Sequence, residues 1–247
     1  MGVNRHDEGR LEAIAGHAAA RVVPLLVDWF APTSVVDLGC NAGVWLRAFM
    51  ELGVDDVLGI DQPEVGNAPL LIPADRFVPA DLEQQLPVAR TFDLALCLEV
   101  IEHVSEAAHQ RILDELVAFA PAIVFSAAVP GQGGDHHVNE QWGSWWHERL
   151  LARGLARFDV LRHVLWDDPD VQWWYSQNIA VYARPDHPAA GRLRSEEHQL
   201  PIDIVHPRLF SEALAREPTT RQSLQALPGG LRRTWQSKVV ERFGRSR

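Results

Sequence analysis

Residues 34–63, SVVDLGCNAGVWLRAFMELGVDDVLGIDQP, constrain the fold more than any other stretch. They read as strand, glycine turn, helix, strand, acid. Ser34-Val35-Val36-Asp37-Leu38 is a short apolar run of the kind that builds a strand buried on both faces. Gly39-Cys40-Asn41-Ala42-Gly43 then strips bulk from the turn, so the backbone bends sharply and a ligand can lie against it. Val44, Leu46, Phe49, Met50 and Leu52 form a helical apolar face, with Gly53 as the stop. Val57-Leu58-Gly59-Ile60 is a second buried strand, and Asp61 closes it where an acid accepts hydrogen bonds from ribose hydroxyls.

The same alternation continues. Residues 8–31 carry apolar positions at helical spacing and are expected to pack beside the first strand. Phe77-Val78-Pro79 is a short third strand, followed by Asp81 and Leu82, with Asp81 able to serve as a turn cap. Residues 92–98 form a central fourth strand that delivers Glu99, Glu102 and His103 at its carboxyl end, where ligands bind in open parallel sheets. A helix from Ser105 to about Phe119, a fifth strand over 123–129, a polar glycine-rich loop over 130–140 and a helix over 141–154 follow. A sixth strand over 156–166, a loop over 167–175 and a last strand over 176–183 complete the series. A short connection between the last two strands predicts an antiparallel hairpin at the sheet edge. The expected fold is an α/β, doubly wound Rossmann-like sheet.

Two glycines, Gly39 and Gly43, do not make the three-glycine dinucleotide fingerprint. The D-x-G-x-x-x-G form from Asp37, the acid Asp61, and the blocks LLIPADRFVPADL, FDLALCLEVIEHV, FSAAVPGQGG, HVNEQW and WWYSQN together resemble the class I S-adenosylmethionine (SAM) methyltransferases, in particular a bacterial group acting on small molecules and sugars. The resemblance runs from about residue 20 to residue 183. It implies SAM as cofactor, with Asp37, Gly39, Cys40, Asn41, Gly43, Asp61, Gln62, Asp81, Leu82, Leu98 and Glu99 in contact with it, Asp81 beside the adenine and Glu99 beside the methionine end.

Methyl transfer to an alcohol needs the hydroxyl proton removed, so a base should face the reacting carbon. His137, His103 and Glu99 are the catalytic candidates; a backbone-bonded structural imidazole is the plainer role for His103. Glu99, Glu102 and His103 also resemble the E-x-x-E-H element of metal-dependent RNA 2′-O-methyltransferases, with His136 or His137 as a further ligand, but a metal-free site is the expectation. Six of the nine tryptophans fall between residues 142 and 174. Most tryptophan is core packing, yet His136, Trp142, Trp146, Trp173 and Trp174 are expected on the acceptor side, where aromatic faces stack on rings. The same segments offer a surface through which two copies could pair as a homodimer. An amine acceptor is a second reading, and a cofactor-fold binding or scaffold protein a third.

With 247 residues, 47% of them hydrophobic, the chain suits one domain over 1–184 and a partly helical C-terminal extension over 185–247, with short helices expected over 208–216 and 220–243. A net charge of −10 argues against nucleic acid. Cys40 and Cys97 both fall in core elements and read as free thiols of a reducing cytoplasm. Neither a signal peptide nor a membrane span is expected. The expected partner is a small-molecule acceptor.

Overall fold

In the computed structural model, residues 5–198 and 200–215 are described. Their elements alternate as the apolar pattern requires: α1 (Arg5–Phe30), β1 (Ser34–Leu38), α2 (Val44–Glu51), β2 (Asp56–Asp61), β3 (Phe77–Pro79), β4 (Leu94–Leu98), α3 (Glu106–Phe119), β5 (Ala122–Ser126), α4 (Gly143–Leu151), β6 (Ala156–Phe158), α5 (Arg162–Leu165), α6 (Trp173–Asn178), β7 (Ala180–Ala183), α7 (Ala190–Glu196) and α8 (Pro207–Ala215). The sheet order is β3-β2-β1-β4-β5-β7-β6. The strands β1 to β5 run parallel, and β7 runs antiparallel to both β5 and β6. This is the doubly wound Rossmann-like sheet expected from the sequence, with an antiparallel edge.

Strand side chains alternate between faces, and both faces are dry. Val35, Leu94, Leu96 and Val124 join Trp45, Leu46 and Phe49 of α2 and Leu26 of α1 on one side. Val36, Leu38, Ala95, Cys97 and Phe125 join Ile112, Leu113 and Leu116 of α3 and Trp146 of α4 on the other. Each fully buried aliphatic or aromatic side chain here contributes about 1.5–3 kcal/mol. The α3 helix starts at the Ser105 side chain, which accepts from the Ala108 N–H.

Three sequence expectations are corrected. The sixth strand is only Ala156–Phe158; residues 162–165 turn into α5, because Asp159 and Arg162 bond at helical i, i+3 spacing. Residues 173–178 are helical, with the Ser176 hydroxyl bonded to the Leu165 carbonyl, so the last strand is Ala180–Ala183. The connection between those two strands is therefore long and carries two helices, although the edge pairing is antiparallel. Residues 190–196, inside the extension expected to be partly helical, form α7. Leu193 is fully buried and the Trp29 indole N–H donates to Glu196 at 2.8 Å.

Contacts divide the chain into Met1–Leu209 and Phe210–Arg247. Of the second unit only residues 210–215, the end of α8, are described; the helix expected over 220–243 lies outside the described residues. Residues 185–209 belong by their contacts with the unit that holds the sheet. No described helix is long and apolar enough to cross a membrane.

Candidate active site

Strand register brings the cofactor candidates into one row. Leu38 pairs with Ile60 and Cys97, Asp61 with Pro79, and Leu98 with Ser126, so the turns after β1, β2, β3 and β4 open at the same edge. The turn after β1 is welded to the end of β2: Gly39 N–H donates to the Ile60 carbonyl at 2.8 Å, and Asn41 N–H donates to Asp61 Oδ2 at 2.7 Å. Gly39 sits at φ +73° and Gly43 at φ +89°, where side chains are disfavoured, and Asn41 takes φ +47°. A Cβ on Gly39 would stand 2.3 Å from the Val100 side chain, and one on Gly43 2.9 Å from Ile72.

The donors and acceptors at this edge fit SAM. Asp61 accepts one backbone N–H on each oxygen, from Asn41 and from Gln62, both at 2.7 Å. Each oxygen keeps a lone pair for a ribose hydroxyl. The candidates lining the edge include four acids, Asp37, Asp61, Asp81 and Glu99, and no lysine or arginine. That suits hydroxyls and an ammonium group and not a pyrophosphate. Asp81 is exposed and accepts from the Glu83 N–H at 2.8 Å, the capping role the sequence allows; Leu82 beside it is buried. Cys40 and Cys97 are buried and free.

Asp37 is 2% exposed, and burial, with the nearby charge of Asp61, pushes its pKa up to about 8. An ammonium group beside it would restore the charged form. The raised value has a stability consequence. Between the ordinary carboxylate pKa and about 8 the folded state holds a proton that the unfolded chain releases, so this residue makes stability fall as pH rises through that window. Unfolding titrations of wild type and Asp37→Asn should therefore diverge by up to about 1.4 kcal/mol per pH unit between pH 5 and 8. Parallel curves would show that Asp37 is ionised in the fold.

Glu99 stands at φ +54°, an uncommon conformation held by its neighbours. Its N–H donates to the Ser126 carbonyl at 3.1 Å. Its carboxylate accepts from Gln132 Nε2 at 2.7 Å and from Asn178 Nδ2 at 3.1 Å, and Asn178 also bonds Gln132 Oε1 at 2.9 Å. Burial raises the Glu99 pKa, while these amides and His137 act to lower it. Gln132, Asn178 and Ser126 carried no role in the sequence reading. Their signal was there, in PGQGG, WWYSQN and FSAAV, but nothing in residue type says which acid an amide will meet.

The loop after β5 folds around Glu140. That carboxylate accepts from Gly131 N–H at 2.8 Å and Gly133 N–H at 2.9 Å, and it holds His137 Nδ1 at 2.9 Å. Burial alone would raise the Glu140 pKa; His137 and the two N–H groups bring it below the usual range. The Val138 and Asn139 N–H groups donate to the Glu102 carbonyl at 2.9 and 3.1 Å, so the loop is fastened to the turn after β4. Across that seam the His103 and His137 rings meet edge to face, centroids 4.8 Å apart. His103 lies at the exposed rim; burial of its inner side, with His137, lowers its pKa. His136 is exposed at φ +61°.

Of the tryptophans, Trp142 is 40% exposed and Trp146 is buried against Phe125 and Trp145. Trp146 also borders a cavity of about 30 Å³, with Arg157, Arg162, Gln177, Asn178, Tyr182 and Ile202 on its walls. Trp173 is buried against Val129 and Leu209, with Trp174 edge-on to it.

A family model described as Methyltransferase domain matches residues 11–166. The chain is 30% identical over 135 residues to a ubiquinone biosynthesis O-methyltransferase of Acinetobacter baylyi, covering 44% of this chain and 55% of that protein. It is 35% identical over 77 residues to the Rhodopseudomonas palustris protein of the same description, covering 29% and 30%. It thus spans about half the length of the first relative and under a third of the second. Among solved structures, the SAM-bound amino pentose methyltransferase CalS10 of Micromonospora echinaspora, involved in calicheamicin biosynthesis, shares the fold with a TM-score of 0.52 and 14% identity, covering 74% of this chain and 98% of that one. With the glycine turn, the acid that closes β2 and the sheet order in place, the chain belongs to the methyltransferase-domain family and is a class I, SAM-dependent methyltransferase.

Proposed function

We propose that this enzyme O-methylates a small hydroxylated metabolite, sugar-bearing for preference, in the cytoplasm. The observation that carries the reading is the His137–Glu140 pair. A carboxylate on Nδ1 fixes the ring proton there and leaves a lone pair on Nε2, beside Gly134 in the loop after β5. That lone pair is the group assigned to activating the acceptor hydroxyl. SAM, when bound, supplies a methyl carbon made electrophilic by a sulfonium. Asp61 would hold its ribose, Asp37 and Glu99 its ammonium end, and Asp81 with Leu82 its adenine. Gln132 and Asn178 keep the Glu99 carboxylate turned to one position, which limits the reacting geometries that must be searched. The half-exposed Trp142 and the part-buried Trp174 offer faces for a ring acceptor. Two free, buried thiols suit a reducing compartment.

The test is a labelled-methyl assay over candidate alcohols and amines, with SAM affinity measured in parallel. His137→Ala should lower kcat by about 10²–10⁴-fold while leaving SAM affinity within about threefold. An unchanged rate would point to an amine, which can react from its neutral form, and would end the alcohol reading.

A further inference from the structure

The cavity beside Trp146 lies under the antiparallel edge of the sheet, apart from the turns that fit SAM. Its volume of about 30 Å³ holds two or three waters at the ~10–15 Å³ that each needs, or the two oxygens of one carboxylate. Strand register builds one wall. Arg157 of β6 stands opposite Tyr182 of β7, so the two side chains share a face, and both border the cavity.

The charges around it do not balance. The walls carry two arginines, Arg157 and Arg162, and, among the described residues, no acid. Behind them stands one buried carboxylate, Asp159, and Arg162 takes both of its oxygens. Arg157, with a side chain 10% exposed, reaches that carboxylate only at 3.4 Å. Two guanidiniums, charged at any working pH, thus share one negative partner. A buried surplus of one positive charge costs free energy until an anion meets it.

The neighbours do not supply that anion. Burial pushes the Tyr182 hydroxyl up to about 12, against the pull of Arg157, so it stays neutral. The His147 ring is 6.2 Å from that of Tyr182; burial and then Arg157 lower its pKa. The two amides on the walls are engaged elsewhere: Gln177 Nε2 donates to Asn178 Oδ1, and Asn178 Nδ2 donates to Glu99 and Gln132. Trp146, also a wall, carries a buried indole N–H with no partner.

We infer that this cavity binds a carboxylate of the acceptor, gripped by Arg157. The flat guanidinium fork meets both oxygens of a carboxylate at once. Position ties the cavity to the reaction. Asn178 is at once its wall and a partner of Glu99, and Gly143, on another wall, follows the half-exposed Trp142 offered to a ring acceptor. The acceptor half of this inference rests on the O-methylation reading and narrows it to hydroxy acids; the anion site does not rest on it.

The anion site is tested on the full-length protein with formate, without SAM or acceptor. Saturation transfer from the protein to the formate proton should be clear in wild type at fixed ionic strength. The formate concentration giving half the effect should rise at least about tenfold in Arg157→Met. Arg157→Lys, a point charge in place of a fork, should fall between. Both variants keep the Asp159–Arg162 pair; Ala180→Val, which fills the cavity from β7, replaces Arg157→Met should that variant not fold. Equal transfer in wild type and variants overturns the site and leaves water as its occupant. The acceptor half is read with SAM present, on hydroxybenzoates and uronates paired with their methyl esters. The acids should show a KM at least about tenfold below that of the esters, and Arg157→Met should lose the preference. Acids and esters turned over alike, with formate bound, would make the occupant a free anion and overturn the acceptor half. Should no alcohol be methylated, the O-methylation reading fails and the acceptor half with it, while the formate titration still decides the site.

Discussion

Asp61→Ala should lower affinity for SAM and for S-adenosylhomocysteine about 100-fold or more. Two effects add. The ribose loses a charged acceptor on each of its two hydroxyls, bonds worth about 1.5–3 kcal/mol each. The glycine turn also loses the Asp61 oxygen that holds the Asn41 N–H, and Asn41 is at φ +47°, a conformation its own preferences do not secure. Asp61→Asn should fall between, since an amide oxygen can keep one of the two roles. Isothermal titration with the product nucleoside measures this without turnover. A dissociation constant within threefold of wild type would remove Asp61 from the ribose, leaving it a backbone clamp.

Arg162→Met should cost about 3–5 kcal/mol of folding stability, the largest loss expected of any single change outside the hydrophobic core. Arg162 and Asp159 are each 1% exposed. The guanidinium bonds both Asp159 oxygens, and it also donates to the carbonyls of Pro201 and Ile202, at 2.7 and 3.1 Å. Arg157 adds a longer contact to the same carboxylate at 3.4 Å. Removing the arginine leaves a buried carboxylate with one distant cation and releases the segment that covers the cavity beside Asn178. The double variant Arg162→Met with Asp159→Leu should recover much of the loss, because it removes the stranded charge as well. Urea unfolding of the three proteins decides. Loss from the single variant below about 1 kcal/mol would mean that water reaches the pair.

What the sequence made legible is what hydrophobic runs and backbone-demanding residues encode. Residues 34–38, 57–60 and 94–98 admit little but buried strands, and Gly39 and Gly43 little but a tight turn, so the edge at which these strands end was readable from residue type alone. The edge of the sheet was not. Residues 159–166 carry Val160, Leu161, Val164 and Leu165, a run that satisfies strand and helix alike; the guanidinium of Arg162 settles it by reaching the Pro201 and Ile202 carbonyls some 40 positions away, and that is tertiary information. The WWYSQN segment turned helical for a similar reason: Gln177 bonds the backbone of His206, a residue 29 positions away. Glu140 shows the limit most plainly. As a letter it is one more acid in a polar loop; only folding puts its carboxylate on two glycine N–H groups and a histidine.

The bonds from Val138 and Asn139 to the Glu102 carbonyl have an engineering consequence. They join the turn after β4 and the loop after β5 into one mechanical part, so a substitution in either is felt by both. The far rim is built differently: Asp203 clamps Ser144 at the start of α4 through its carboxylate, which accepts from the Ser144 hydroxyl at 2.6 Å and N–H at 2.8 Å. A library aimed at a new acceptor should vary Trp142, Ser144 and Asp203 together and keep the buried Trp146, since change at that rim leaves the core and the turns at the strand ends standing.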